Sequence, residues 1–590
     1  PLVVGNTVYC GHAEENVFDH TVMGAIFALD GTGTGNITKT DKQLWMSPTK
    51  MLGRAQPLLV NDKLYIADDG GSLLVIDPKT GSEIGKKKLG RSVFSSPLYA
   101  DGKIYYLEAS GTAFILEPAG NELKVLHKLR LEDELMQGSP IASHGRVYIP
   151  TSGALYCIGI KDQAPVPPDP RPPVPPETPW SADPTPAQLQ ITPVESLLRP
   201  KLGQSKGLAQ RFSIRMFNAN GRYLDTKTVK PAFELKGPGT LEPSKDPGKE
   251  NQTVFVPAAD AAHSASYVTA KVGNLTSTAR IRTIPNIDSA WTFDFTSGKV
   301  PETWIGAGYR HIVLDDDMLN SLKAQDPRAA RMYIYLTTAF TNASLTAGSN
   351  ANVPTVKIQD AGPRQAWTDF LRYFDLAGEG KPASIDDAKK QFDPVLELLA
   401  KEKVIEKWDW SQDAGGGLEL TVHKGSRGIM GNAVMCKIST IPKGTRSQGW
   451  MGPTSLHDYT IQADVRGSER HGKLPSMGVI NERYTLALEG ASQELQIRSW
   501  VSRLDLRFAK TIPFAWKYDT WYTMKFRSEN SEDRKKVTLK GKVWPRGEAE
   551  PAEWTIEATD ETPNVEGSPG LFGNATDAEV FFDNVKVNAN

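Results

Sequence analysis

The side chains best suited to chemistry in this chain lie in its last third, in stretches that alternate strictly. In "DYTIQADVR" the residues Tyr459, Ile461, Ala463 and Val465 form one parity. Successive side chains of a strand point to opposite faces, so the other parity shares a surface. That parity collects Gln462, Asp464, Arg466, Asn481, Arg483, Arg498, Trp500 and Trp521, with Lys525 and Arg527 beside them. Planar polar groups next to indole rings suit a sugar face, and the excess of Arg and Lys points to uronic or sulfated glycans. A solvated convex face reads the same way, because parity does not separate concave from convex. Cleaving a glycan would require two carboxylates spaced as nucleophile and acid. Glu482, and Glu489 with Glu494, are the candidates, and none completes a Glu-X-Asp-X-X-Glu set. Binding is therefore favoured over hydrolysis.

Two loops near the start carry metal-ligand residue types. "DGTGTGNITKTD" places Asp30, Thr32, Thr34, Asn36, Thr38 and Asp41 at the offsets of a calcium loop, with Gly35 at the turn. Carboxylates stand only at its two ends, so a Gly/Thr-rich hairpin connection is the competing reading. "GHAEENVFDH" gathers His12, Glu14, Glu15, Asp19 and His20, chemically adequate for a divalent ion and equally consistent with a solvated insertion. Cys10, Cys157 and Cys436 are too few and too scattered for a disulfide framework or a zinc site.

The elements that must position these residues are β-rich. The chain has 590 residues, 41 Pro and 51 Gly, which predicts several domains built from strands and turns. Lys and Arg total 68 against 69 Asp and Glu, so no net charge draws it to nucleic acid. No apolar run is long enough to span a bilayer. The first residue is Pro, which is expected of a processed or truncated chain.

Residues 1–160 repeat a phrase. Pro1 and Tyr9, Pro57 and Tyr65, Pro97 and Tyr105, and Pro140 and Tyr148 are each eight positions apart, and Gly71, Gly111 and Gly153 each lead a second apolar run. A period of about 40 residues with several short strands marks β-propeller blades. Four blades predict an incomplete ring, with further blades supplied upstream or by another chain; a small four-bladed ring is the alternative. "VIDPKTGSEI" resembles the blade ending of pyrroloquinoline-quinone (PQQ) type repeats, a family that includes quinoprotein dehydrogenases and the bacterial outer-membrane assembly propeller. The resemblance implies a Trp docked between blades, a place that Trp45 fills. It also implies a vicinal Cys pair for quinone binding, which this chain lacks, so PQQ is not expected.

"APVPPDPRPPVPPETP" within residues 161–186 is a polyproline spacer. Residues 187–285 alternate around Phe212, Ile214 and Met216 and resemble a bacterial immunoglobulin-like (Ig-like) domain. Residues 286–590 resemble a concanavalin-A-like jelly roll, on "DYTIQADVR", "KYDTWYTMKF" and the closing "GSPGLFGNATDAEVFFDNVKV". A helical insertion is expected at about 313–410, with Asp326-Pro327 and Ser384 opening helices and Asp393-Pro394 opening another. Trp367, Phe370, Leu371 and Phe374 form its apolar stripe. The reading is a mainly β exported protein, periplasmic or at the cell surface, that binds polysaccharide or an envelope protein. The alternative is a quinoprotein-type dehydrogenase or a sugar-active enzyme.

Overall fold

Each Pro-to-Tyr phrase folds into a short edge strand, a tight turn and a second strand running back. The residue after Pro then pairs with the Tyr: Leu2 with Tyr9, Leu58 with Tyr65, Leu98 with Tyr105 and Ile141 with Tyr148. A computed structural model describes the chain except residues 17–18, 35–36, 38–39, 132–133, 161–163, 165, 168–181, 201–207, 259–262, 288–289, 309, 347–352, 360–369, 372–373, 375–381, 413–416, 438–445, 500–507 and 576–577. The protein is mainly β. Pro1–Pro175 makes up the bulk of one compact unit and Pro176–Asn590 that of a second.

Among the described residues of the first unit three antiparallel sheets have four strands each, and the fourth sheet, Ile141–Ser143, Arg146–Pro150 and Leu155–Ile158, has three. Adjacent blades are joined by backbone bonds that recur with the repeat. Asp69 N donates to Met51 O (2.8 Å), Ala109 N to Ser92 O (3.0 Å) and Ser152 N to Leu135 O (2.9 Å). The residue before each Pro adds a second link: Gln56 N donates to Ser96 Oγ (2.8 Å) and Ser96 N to Ser139 Oγ (2.9 Å). Trp45 docks between blades as the repeat implies. Its indole N–H donates to Pro78 O (2.8 Å), and a Cβ at Gly81, where φ is +72°, would stand 2.5 Å from its ring.

In the second unit residues 187–285 form a two-sheet sandwich whose core contains Phe212, Ile214, Met216, Val268 and Ile281. Side-chain contacts join this sandwich firmly to residues 286–590. His263 Nε2 lies 2.8 Å from Met451 O and Nδ1 2.7 Å from Thr303 Oγ1, its ring edge-on to Trp291 and Phe293. Tyr267 donates to Glu302 (2.9 Å). Within residues 286–590 an eight-stranded and a six-stranded sheet enclose a core that includes Ile461, Val465, Phe526, Val479, Leu486 and Ile497.

The insertion is larger than expected. Helices α1 (Asp316–Gln325) and α2 (Pro327–Thr346) are followed by a sheet of three strands, Thr355–Gln359, Leu418–Lys424 and Ile405–Gln412. Leu418–Lys424 thus belongs to this small sheet, and sandwich strands resume at Ala433–Lys437. Phe370, Leu371 and Phe374 are buried, while Trp367 lies outside the described residues. Pro394 opens no helix; it sits inside α3 (Ile385–Lys401), which begins at the Ser384 cap. The stripe Ala388, Phe392, Val395, Leu396 and Leu399 is buried continuously across the Pro and outweighs its one missing donor. The Asp393 carboxylate instead accepts the indole N–H groups of Trp408 (2.8 Å) and Trp410 (2.9 Å).

Candidate functional site

On the outer face of the eight-stranded sheet the alternation of Tyr459–Gly467 turns Gln462, Asp464 and Arg466 away from the core. Register places Asp464 between Asp583 and Thr523, and Arg466 beside Phe581. Asp464 and Asp583 are both buried, and one cation serves both. Arg546 Nε lies 3.1 Å from Asp464 Oδ2 and its Nη2 3.0 Å from Asp583 Oδ2. Thr523 donates to Asp464 (2.6 Å), and Asn584 Nδ2 donates to Asp464 (2.8 Å) and Asp583 (3.4 Å). Burial, helped by the nearby Asp464 charge, pushes the Asp583 carboxyl above its ordinary range. Arg466 is buried too and forms a two-pronged pair with Asp316 (2.6 and 3.2 Å) in the first turn of α1. Its guanidinium lies 4.7 Å from the Trp521 ring, and that of Arg546 5.2 Å from the same ring. The indole that a sugar would stack on already carries two protein cations.

The remaining candidate residues are elsewhere. Asn481 is buried between the sheets, donating to Tyr459 O (2.7 Å) and Phe526 O (3.1 Å). Arg483 is exposed on a two-residue turn where both it and Glu482 have positive φ, +66° and +47°, and it donates to Glu566 O (3.1 Å). Arg498 occupies the outer face of the six-stranded sheet, paired with Glu489 and lying 4.9 Å from the Phe572 ring. Trp500 lies outside the described residues. The eight residues therefore do not share one face: Gln462, Asp464, Arg466 and Trp521 do, and Asn481, Arg483 and Arg498 belong to the other sheet.

Among the carboxylates, Glu489 stands directly opposite Glu494 and is held by Arg498 and Ser476. Glu482 is fully buried and accepts from Ser528 Oγ (2.9 Å), Asn530 Nδ2 (3.1 Å) and the Asp458 amide. Burial raises its pKa. Parity found Asp464 and Arg466, but their partners Arg546, Asp583 and Asp316 come from distant turns and strands. Of these only Asp583 lies in a phrase that carries the jelly-roll resemblance, the closing "GSPGLFGNATDAEVFFDNVKV".

In the calcium-like loop, Asp30 Oδ1 accepts the amide (2.9 Å) and hydroxyl (2.7 Å) of Thr32, and Lys42 Nζ sits 2.6 Å from Oδ2. The Lys42 hydrogen bond is the main cause holding the Asp30 carboxyl at about 2. A lysine ammonium thus lies where a divalent ion would have to bind. Thr34 and Asp41 are exposed, and Asn36 lies outside the described residues. Among the described residues no three His, Cys, Asp or Glu side chains converge as metal ligands. The thiols do not fit a quinone site, since Cys10, Cys157 and Cys436 stand on three different sheets.

On the repeat region, Arg54 lies 4.1 Å from the Phe94 ring, and Tyr99, Val125 and Leu126 present apolar surface to solvent. A protein-family model described as outer membrane protein assembly factor BamB matches residues 1–166. The outer membrane protein assembly factor BamB of Burkholderia pseudomallei (strain K96243) is 32% identical over 113 residues, which is 19% of this chain and 28% of that protein. The chain thus spans less than a third of the curated relative it matches. Among solved structures, BamB from Moraxella catarrhalis is 15% identical with a TM-score of 0.21, covering 26% of this chain and 46% of that one. A europium-containing methanol dehydrogenase is 17% identical with a TM-score of 0.18, covering 22% and 24%. Residues 1–166 are a BamB-like repeat region.

Proposed function

We propose, from a repeat region of the BamB type at residues 1–166, that this chain is a non-enzymatic scaffold of the bacterial envelope whose blades hold other proteins during outer-membrane assembly. The observation that carries this reading is that the matched stretch coincides with four β-sheets joined by a recurrent hydrogen-bond pattern. Such sheets offer edges and loops for recognition and need no reactive group. The charged residues with the right types for chemistry also favour it, since Asp464, Asp583, Arg466, Arg498 and Glu489 are neutralised within the fold.

In this reading residues 187–285 are an Ig-like module and residues 286–590 a concanavalin-A-like sandwich, together forming a body carried on the same chain as the blades. Export places the chain in the periplasm or at the cell surface. No described helix is long and apolar enough to cross a membrane. A second reading, glycan binding, draws on the half-buried Trp554 ring 4.8 Å from Lys542, beside Lys525. Retention on a polysaccharide array that is lost in Trp554→Ala would support it.

Depleting the protein from its bacterial host tests the main reading. Outer-membrane β-barrel proteins should fall in abundance, and the protein should fractionate with the envelope. Unchanged barrel levels would overturn the proposal.

A further inference from the structure

The last strands of the second and third blades, Glu83–Lys88 and Glu122–Arg130, are sheet edges, and the sides that they turn to each other carry charge of one sign. Gly85 stands opposite Val75, and a Cβ on it would collide with Asn121 O, so this face of Glu83–Lys88 looks toward the third blade. Lys87, two residues on, shares that face. In the third blade Phe114 and Leu116 belong to the core shared with the second blade, whereas Ala113 packs with the fourth sheet. Their register partners Lys128 and Val125 therefore look back at the second blade, and so does Arg130, opposite Thr112.

The two strands touch at Gly85, where Lys63 Nζ also donates to Gly120 O (2.7 Å). Beyond that contact Lys87, Val125, Lys128 and Arg130 are all exposed, which leaves an open groove floored by buried Leu123. The Lys128 ammonium lies 5.7 Å from the Phe114 ring. Arg130 Nη1 donates to the hydroxyls of Ser110 and Thr112 (3.1 Å each), which fixes the guanidinium without neutralising it. The carboxylates of these strands face the other way: Glu83 is opposite Ile76, Glu122 is opposite Ala119, and Glu117 pairs with Lys124 (3.5 Å). Glu108, behind Ser110, is buried and accepts the Ser110 amide (3.0 Å) and hydroxyl (2.5 Å) and the Arg91 amide (3.4 Å). Among the described residues no carboxylate forms an ion pair with Lys87, Lys128 or Arg130.

We propose that this groove binds an extended acidic segment of a partner protein, with its carboxylates on Lys87, Lys128 and Arg130 and an apolar side chain on Val125. Lys128 and Arg130 stand about 6.7 Å apart along their strand, the spacing at which alternate residues of an extended partner present their side chains. Glu122–Arg130 pairs with a neighbour on one side only, so its other edge offers backbone N–H and C=O groups to a segment lying beside it. Cations on a sheet edge repel neutral and basic strands and admit an acidic one, which makes charge the selecting feature. The proposal rests on the reading that the blades hold proteins. Its test uses purified components, so that the groove and the envelope role are scored by separate experiments.

A fluorescent peptide of alternating Glu and Val should bind the 590-residue chain in an anisotropy titration, and its Gln-for-Glu counterpart should bind about tenfold more weakly or worse. Affinity for the Glu peptide should fall as salt rises. Lys87→Gln with Lys128→Gln, both at exposed positions, should weaken it about fivefold or more without altering the circular dichroism spectrum. Lys535→Gln with Lys536→Gln, which removes the same charge from the sandwich, should leave it unchanged. Bound peptide should slow amide exchange in Glu122–Arg130 and not in Tyr522–Asn530. No binding of the Glu peptide, equal binding of both peptides, an equal loss in the sandwich variant, or binding only to phosphatidylglycerol vesicles would each overturn the proposal.

Discussion

Arg546 is the sole cation in contact with both Asp464 and Asp583 among the described residues, so Arg546→Met isolates what that charge does. The side chains of Asp464 and Asp583 are 7% and 2% exposed, and that of Arg546 is 31% exposed. Removing one partner of a fully buried pair costs about 3–5 kcal/mol. The partial exposure of Arg546 lets water replace some of the lost interaction, which lowers the expected cost to ~2–3 kcal/mol. At about 1.4 kcal/mol per tenfold, amide exchange in the strand Val580–Ala589 should accelerate roughly 30- to 150-fold at neutral pH. The pH dependence has a definite sign. The folded-state pKa of Asp583 is already raised, so its favourable contribution is fully present below the unfolded value and is lost as pH rises through the folded one. Without Arg546 that pKa rises further. The penalty in the variant should therefore be large at pH 7 and shrink toward pH 4, and adding Asp583→Asn should recover part of it at pH 7. Equal acceleration at both pH values, or less than about threefold at pH 7, would refute the assignment of a shared cation.

Trp45→Ala should cost ~3–5 kcal/mol, since it removes a buried indole and its bond to Pro78 O; exchange in Lys63–Asp68 and Gln43–Pro48 reads it out while Val580–Ala589 stays protected. Ser96→Ala leaves the Gln56 amide without its acceptor and should cost about 0.5–1.5 kcal/mol, again confined to the first unit. His263 is held neutral by burial, with its pKa pushed down to about 4 from 6.5. The unfolded state then takes up the proton first, so exchange in Ser264–Val272 should accelerate as pH falls from about 6.5 toward 4, and His263→Gln should flatten that slope.

The blades were legible because their spacing has a mechanical cause. Eight residues from Pro to Tyr are what a short edge strand, a tight turn and a returning strand require for the residue after Pro to meet the Tyr. Parity was legible for the same reason: Tyr459, Ile461, Ala463 and Val465 all face the core. Depth was not. Alternation marks Asp464 as outward, yet Arg546, brought in by the turn after Val537–Pro545, covers it, and no local pattern links positions so far apart. Gln462 and Arg498 share a parity but fall on different sheets, because pairing order is set by long-range register. Pro394 misled for a related reason: a helix-start signal was overridden by a continuous buried stripe.

Recognition by the blades and not by the sandwich is the central claim. A photo-crosslinking residue installed in living cells at Tyr99 or Val125, compared with one at Tyr223 or Tyr518, tests this directly, since all four side chains are at least 37% exposed. Adducts to envelope proteins from Tyr99 or Val125, and none from Tyr223 or Tyr518, are the predicted result. Adducts confined to Tyr223 and Tyr518 would contradict it.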